Sequence, residues 1–332
     1  GDGTALAITG FPPMFSIALA GLSSLGFSAF EASRWLNAVL MGVNTALISL
    51  LVYRAGRSGL LAILGGWLYM YADNVVRVHA WVMSEPLFIT LSLSAMLALD
   101  VYLKGEKRWA LALASLAIGL ASLTRYAGLA LVPAAGLAVL LFGPAKGLRR
   151  WLDAFLVGLI GLLPVALGFG RSAALSGSLA HRAIGYHPIS KDLVFTFFNE
   201  IAFYWFAPSL SLPWRLRLAL LMFFIAAGLG MYIAAYIRAN EVRRKGGRSS
   251  DASCFSFISR GRPDAPSADI HSTSCSPLPG LIAIYGFFYL VLLAVNTTFL
   301  DASTDEPGIK RYAIPLLAVG IIWTLTSFSQ MV

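Results

Sequence analysis

Long apolar stretches alternate with short polar gaps along almost the whole chain, and the charged side chains fall mostly in the gaps. A helix needs about 20 apolar residues to cross the roughly 30 Å of hydrocarbon in a bilayer. Stretches of that kind lie near 36–53, 59–76, 85–103, 109–125, 127–143, 151–169, 216–236, 279–299 and 312–330. Each is expected to be helical, because an open sheet edge in lipid would leave its peptide groups without partners. The predicted architecture is all-α, a polytopic integral membrane helical bundle of about nine transmembrane helices. Around Tyr126 and Gly128 two stretches follow each other so tightly that a broken or re-entrant hairpin is the alternative, tolerated where protein buries the freed backbone groups. FPPMFSIALAGLSSLGF at 11–27 is apolar but short and opens with Pro12 and Pro13, which suit a first helical turn, so a helix lying in the outer interface is expected there.

This pattern divides the chain into 1–35, a partial first outer loop with the interfacial helix; 36–236, a transmembrane core with an outer loop at 170–215; 237–278, a cytoplasmic loop; and 279–332, a C-terminal transmembrane pair. The segment GGRSSDASCFSFISRGRPDAPSADIHSTSCSPLP lacks any sustained apolar period, so disorder is expected for it. The 170–215 loop keeps aromatic residues throughout, from Tyr186 and His187 to Phe197, Phe198, Tyr204, Trp205 and Phe206, which predicts partial folding into the membrane interface.

Composition agrees with the pattern: 58% hydrophobic and 12% charged residues leave too little polar surface to coat a water-soluble globule. The basic residues of the short loops set orientation. Arg54 and Arg57; Lys104, Lys107 and Arg108; Lys146, Arg149 and Arg150; and Arg238, Arg243, Arg244, Lys245 and Arg248 fall in alternate loops, so one topology puts all four clusters in the cytoplasm. The opposite face then carries mixed charge, including Asp2, Glu31, Asp73, Glu85, Asp192, Glu200, Asp301, Arg77, Arg125 and Arg311. Because topology alone accounts for the net charge of +9, no nucleic-acid partner is implied. Cys254 and Cys275 share one loop without the spacing of a metal site or a disulfide framework. Asn296-Thr297-Thr298 matches a glycosylation acceptor but sits too close to the membrane for easy modification. Gly65, Gly66 and Gly119 lie within apolar spans and are read as close helix contacts rather than phosphate loops.

Several segments of the mixed-charge face, taken in order, resemble the GT-C class of membrane glycosyltransferases, in particular the bacterial dolichyl-phosphate-mannose-protein mannosyltransferase-like and aminoarabinose transferase-like group. They are GDGTALAITGFPPMF at 1–15, EASRWLNAVL at 31–40, RVHAWVMSEPLF at 77–88, LASLTRYAGLALVP at 120–133, SGSLAHRAIGYHP at 176–188 and KRYAIPLL at 310–317. The resemblance implies a GT-C type bundle in the bacterial inner (plasma) membrane with its active face outward. It implies transfer of a sugar from a polyprenyl-phosphate donor to a lipid, glycan or protein acceptor. Such chemistry asks for a proton acceptor on the nucleophile and cations on the phosphate leaving group. In the family an acidic residue after the first transmembrane helix is thought to be the base. This sequence begins too late to contain it, so the principal base is expected to lie before Gly1 and this chain by itself is expected to be inactive. Asp2 is a weak catalytic candidate, better placed as the polar residue just upstream of FPP.

Arg77, His79 and Glu85 precede or open one span, and the resemblance makes them a wall of the sugar or acceptor pocket; His187 either contacts the acceptor or is a structural hydrogen-bonder of its aromatic loop. Glu85 beside Pro86 is equally what a helix start selects, since a carboxylate there complements the macrodipole. Arg125 with Tyr126, and Arg311 with Tyr312, end or begin apolar helices. They either anchor at the headgroup level or grip a lipid-linked phosphate. No cofactor is called for. Asp305 and Glu306 either pair with Lys310 or contribute to a divalent metal site, for which the sequence shows too few converging oxygen ligands. A transporter or lipid flippase is the rival function, and would be marked by ionisable or broken elements at mid-membrane and by internal repeats, of which none is evident. A non-catalytic membrane scaffold is the third reading, and it leaves the pairing of arginines and carboxylates on one face without a purpose.

Overall fold

The computed structural model describes residues 11–105, 107–176, short pieces between 186 and 226, 276–299 and 306–329, with backbone alone at 306–313. Every regular element among them is helical. In chain order these are α1 (Met14–Ser23), α2 (Ala29–Gly56), α3 (Gly59–Tyr71), α4 (Asp73–Ala80), α5 (Glu85–Leu103), α6 (Trp109–Thr124), a 3-10 turn (Tyr126–Ala130), α7 (Leu131–Phe142), α8 (Leu148–Ser176), α9 (Leu278–Phe299) and α10 (Glu306–Ser329).

Four helices are long and apolar enough to cross a membrane, within Ala29–Gly56, Glu85–Leu103, Leu148–Ala174 and Leu278–Asn296, and a fifth is added if α3 and α4 count as one span. These are compatible with an integral membrane protein; among the described residues, four or five of the nine spans drawn from hydropathy are met by helices of that length. Four further apolar helices, Met14–Ser23, Trp109–Thr124, Tyr126–Phe142 and Ile314–Ser327, are shorter. Of the expected span at 216–236 only 216–220, 222, 223 and 226 are described, all of them helical, and nearly all of the 237–278 loop lies outside the described residues.

Local chemistry explains where the helices depart from the hydropathy windows. α2 starts seven residues before its window because Ser28 and Glu31 form a capping box: the Ser28 hydroxyl accepts from Glu31 N–H at 3.3 Å, and the Ser28 N–H donates to Glu31 Oε2 at 3.0 Å. The stretch at 59–76 does not run through. It breaks at Ala72, whose backbone is extended, and the axis turns by 61° into α4. Polar Asp73 and Asn74 follow the break, and α4 buries only Val75, Val78 and His79. α8 continues past 169 to Ser176, so the outer connection begins later than 170.

α5 lies at the centre, packed on α2, α4, α6, α7, α9 and α10. Phe88, Ile89, Leu93, Met96 and Leu99 on it are buried, whereas α8 turns Leu152, Phe155, Leu159, Leu163 and Leu167 outward. The contrast follows from position: a central helix is apolar all round to meet protein, a peripheral one to meet lipid. At one end of the bundle Asp100, fully buried, draws in Arg54 at 2.7 Å and Lys104 at 2.9 Å, tying α2 to α5. Lys104 also donates to the Arg54 carbonyl at 3.2 Å.

Glycines sit where helices touch, as their positions within apolar spans led us to expect. Gly65 faces Leu325, Val52 and Ile48, Gly66 faces Ser49 and Thr45, and Gly119 faces Pro164 of α8. Backbone meets backbone closely in the 3-10 turn, where a β-carbon on Gly128 would stand 2.6 Å from Ala121 C and Ser122 N of α6. Gly128→Ala is therefore expected to cost about 1–3 kcal/mol by overpacking. Its thermal melt in detergent should fall, while Gly158→Ala, with nothing within 4 Å of the added carbon, should melt at or above the native temperature.

Candidate functional site

The end of the bundle opposite Asp100 is assembled from one face of α2. Ser33, Asn37, Asn44 and Ile48 recur at helical spacing and are all fully buried. Asn37 Nδ2 donates to the carbonyls of Trp81 at 2.8 Å and Met83 at 3.2 Å, which fixes the connection between α4 and α5. One turn or two further along, Asn44 Nδ2 donates to the Pro86 carbonyl at 3.1 Å and meets His79 Nε2 at 3.3 Å. Asn44 Oδ1 accepts from the Thr90 hydroxyl at 2.7 Å.

This arrangement settles the state of His79. Its Nδ1 lies 2.6 Å from the Val75 carbonyl, which can only accept, so Nδ1 carries the proton and Nε2 accepts from Asn44. The ring is 5% exposed and meets Tyr69 edge-on, with centroids 6.2 Å apart. His79 is thus a neutral, fully bonded member of the interior that joins α4 to α2.

With its preceding loop fixed, Glu85 opens α5 and reaches Arg125 across the bundle: Oε1 to Nη1 is 2.6 Å, with side chains 2% and 19% exposed. Arg125 comes to this position because α6 stops at Thr124. Its own backbone is extended (φ −150°, ψ 137°), and the following 3-10 turn folds back on α6 through Gly128. Tyr126, next in the chain, stacks on Phe169 of α8 at 5.4 Å between centroids.

The residues singled out from the sequence therefore divide. Glu85 and Arg125 are brought together. His79 is joined to the start of α5 through Asn44. Arg77 instead pairs with Asp73 on the exposed side of α4, at 2.8 Å with side chains 70% and 42% exposed, a contact of little energetic consequence. The α10 backbone includes Arg311 and Tyr312, but their side chains, like Asp2 and His187 altogether, lie outside the described residues. Asp305 lies there too, as does the side chain of Glu306. Among the described residues no group of three or more His, Cys, Asp or Glu side chains is placed to hold a metal.

Asn37, Asn44 and Thr90 were not singled out from the sequence, although polar residues at 33, 37 and 44 mark one stripe of an otherwise apolar helix. Three atoms around this end, Ser33 Oγ, Asn37 Oδ1 and Asn74 Nδ2, are buried without a hydrogen-bond partner among the described residues. Buried polar atoms of that kind call for water or a polar ligand. Comparison of the chain with protein-family models, with curated proteins and with solved structures returned no match.

Removing one partner of a buried ion pair leaves the other charge uncompensated, at a cost of about 3–5 kcal/mol. Glu85→Gln is expected near the lower end of that range, since Arg125 retains some exposure. In a double-mutant cycle, adding Arg125→Met to Glu85→Gln should recover much of the loss in thermal or denaturant unfolding. Strict additivity of the two changes would show that the pair is not coupled.

Proposed function

We propose that the chain is the membrane-embedded part of a glycosyltransferase that takes a sugar from a polyprenyl-phosphate donor. The observation that carries the reading is the buried Glu85–Arg125 pair at the polar end of the bundle. Ionisable side chains inside a membrane bundle are expensive to desolvate and are a functional-site hypothesis by default. A guanidinium oriented by a carboxylate presents a planar fork suited to a phosphate. The orphan polar atoms of Ser33, Asn37 and Asn74 fit the same picture, because a sugar brings hydroxyl groups that donate and accept. The segment resemblance supplies the reaction class.

In this reading Arg125 and Arg311 meet the donor phosphate and oppose the charge that builds on it as the glycosidic bond breaks. Glu85 positions Arg125 and is not the base. Asp2 remains the weak candidate for that role within this chain, and the acceptor is a lipid, glycan or protein hydroxyl or amine outside the bilayer. The reading puts the polar end outward, in a bacterial inner membrane.

A transporter or lipid flippase is the second reading, and the 61° break between α3 and α4 favours it, since discontinuous helices line many transport sites. The assay that separates the two uses membranes containing the full-length gene product and a panel of radiolabelled polyprenyl-phosphate sugars. Arg125→Lys, which retains the charge opposite Glu85 but not the fork, is expected to lower transfer about 10–100-fold, a loss of roughly 1.4–2.7 kcal/mol in transition-state binding. Arg311→Ala should do the same with unaltered helical content by circular dichroism. Absence of transfer from every donor, together with movement of labelled lipid or solute in proteoliposomes, would refute the enzyme reading.

A further inference from the structure

The opposite end of the bundle holds a separate cavity of about 250 Å³ between the α5–α6 and α7–α8 connections. Lys107, Arg108 and Arg149 line it, and Asp153 is the one carboxylate among the lining residues. The cavity is built rather than incidental. The Tyr102 hydroxyl donates to Asp153 Oδ2 at 2.6 Å, which ties α5 to α8 along one wall and engages one oxygen of that carboxylate. Arg150 donates to the carbonyls of Ala145 at 2.8 Å and Leu140 at 3.3 Å, holding the second connection against the end of α7. Gly105 and Gly147 turn the two connections at positive φ, 74° and 57°, where other L-residues are strained.

The cations of this cavity are exposed, and they stand at the amino-terminal ends of α6 and α8, where the helix macrodipole favours negative charge. Trp109 and Trp151, at the starts of the same two helices, are also exposed, and Lys107 lies 5.9 Å from the centre of the Trp109 ring. Exposed tryptophans at the ends of apolar helices mark headgroup depth. Three cations converging on one cavity at that depth differ from the loop charge that orients a membrane protein, which needs no convergence.

We propose that this cavity binds the phosphate of an anionic phospholipid from the adjoining leaflet, with Lys107, Arg108 and Arg149 as its ligands and the acyl chains lying along the apolar outer face of α8. Basic pockets between membrane helices take such headgroups, and each cation near the surface contributes about fivefold in affinity. The site is independent of the Glu85–Arg125 end and of whatever reaction occurs there.

Native mass spectrometry of the delipidated full chain, with phosphatidylglycerol and phosphatidylcholine added in turn, tests the assignment. Preferential retention of phosphatidylglycerol is expected, with a loss of about a hundredfold when Lys107, Arg108 and Arg149 are all changed to Gln. Arg149→Gln alone should lose about fivefold and Lys146→Gln, outside the cavity, should lose nothing, so that the single changes decide the matter if the triple variant does not fold. Equal retention of the two lipids, an unchanged preference in the cavity variants, or an equal loss in Lys146→Gln would overturn the proposal. Inorganic phosphate is the probe for the other source of the same chemistry: if it binds the lipid-free protein and displaces phosphatidylglycerol, the cavity serves a free phosphate compound and the lipid assignment fails.

Discussion

The polar end of this bundle depends on the side chain of Asn44, a single amide placed in a helix interior where an unpaired polar group would cost about 1–3 kcal/mol. Its two N–H groups and its carbonyl are engaged with His79, Pro86 and Thr90, so three helices are tied through one residue. In a low-dielectric interior such a set is specific as well as stabilising, because any register shift of α2 against α5 would orphan several groups at once. The neutral tautomer of His79, the start of α5 at Glu85 and the reach of Glu85 to Arg125 all follow from that register. Asn37, seven residues earlier on the same face, fixes the intervening connection in the same way.

Much of the helical layout could be read from hydropathy, because an apolar window reports the cost of exposing backbone and side chains to lipid or water. α5, α9 and the middle of α2 fall where that pattern puts them. The window is blind to what happens at ends. Ser28 and Glu31 lengthen α2 by capping, and Asp73 and Asn74 follow an early break in α3. Nothing apolar marks either event. Glycine contacts were legible, since Gly65, Gly66 and Gly119 had no other purpose inside an apolar span.

The site was legible as a set of residue types on one face, but not as pairs. Glu85 and Arg125 stood out separately, one at a helix start and one at a helix end; their meeting depends on how α5 and α6 pack, which no local pattern encodes. Arg77 stood out equally, yet its neighbour one turn back, Asp73, meets it first. The buried asparagines were overlooked because attention to charge hides neutral polar residues, although an amide inside an apolar helix carries the same obligation to find partners.

The shortness of α3 bears on the membrane itself. α3 has 13 residues, so at 1.5 Å per residue it reaches only about 20 Å, well under the roughly 30 Å of a bilayer's hydrocarbon. α3 turns Leu60, Ile63 and Trp67 outward, so lipid must dress this short wall directly. A bilayer meets such a mismatch by thinning, at a cost of fractions of a kcal/mol for each ångström. Unless α4 completes the crossing after the 61° bend, the headgroups beside α3 are expected to stand closer to the bundle interior than they do around the longer helices.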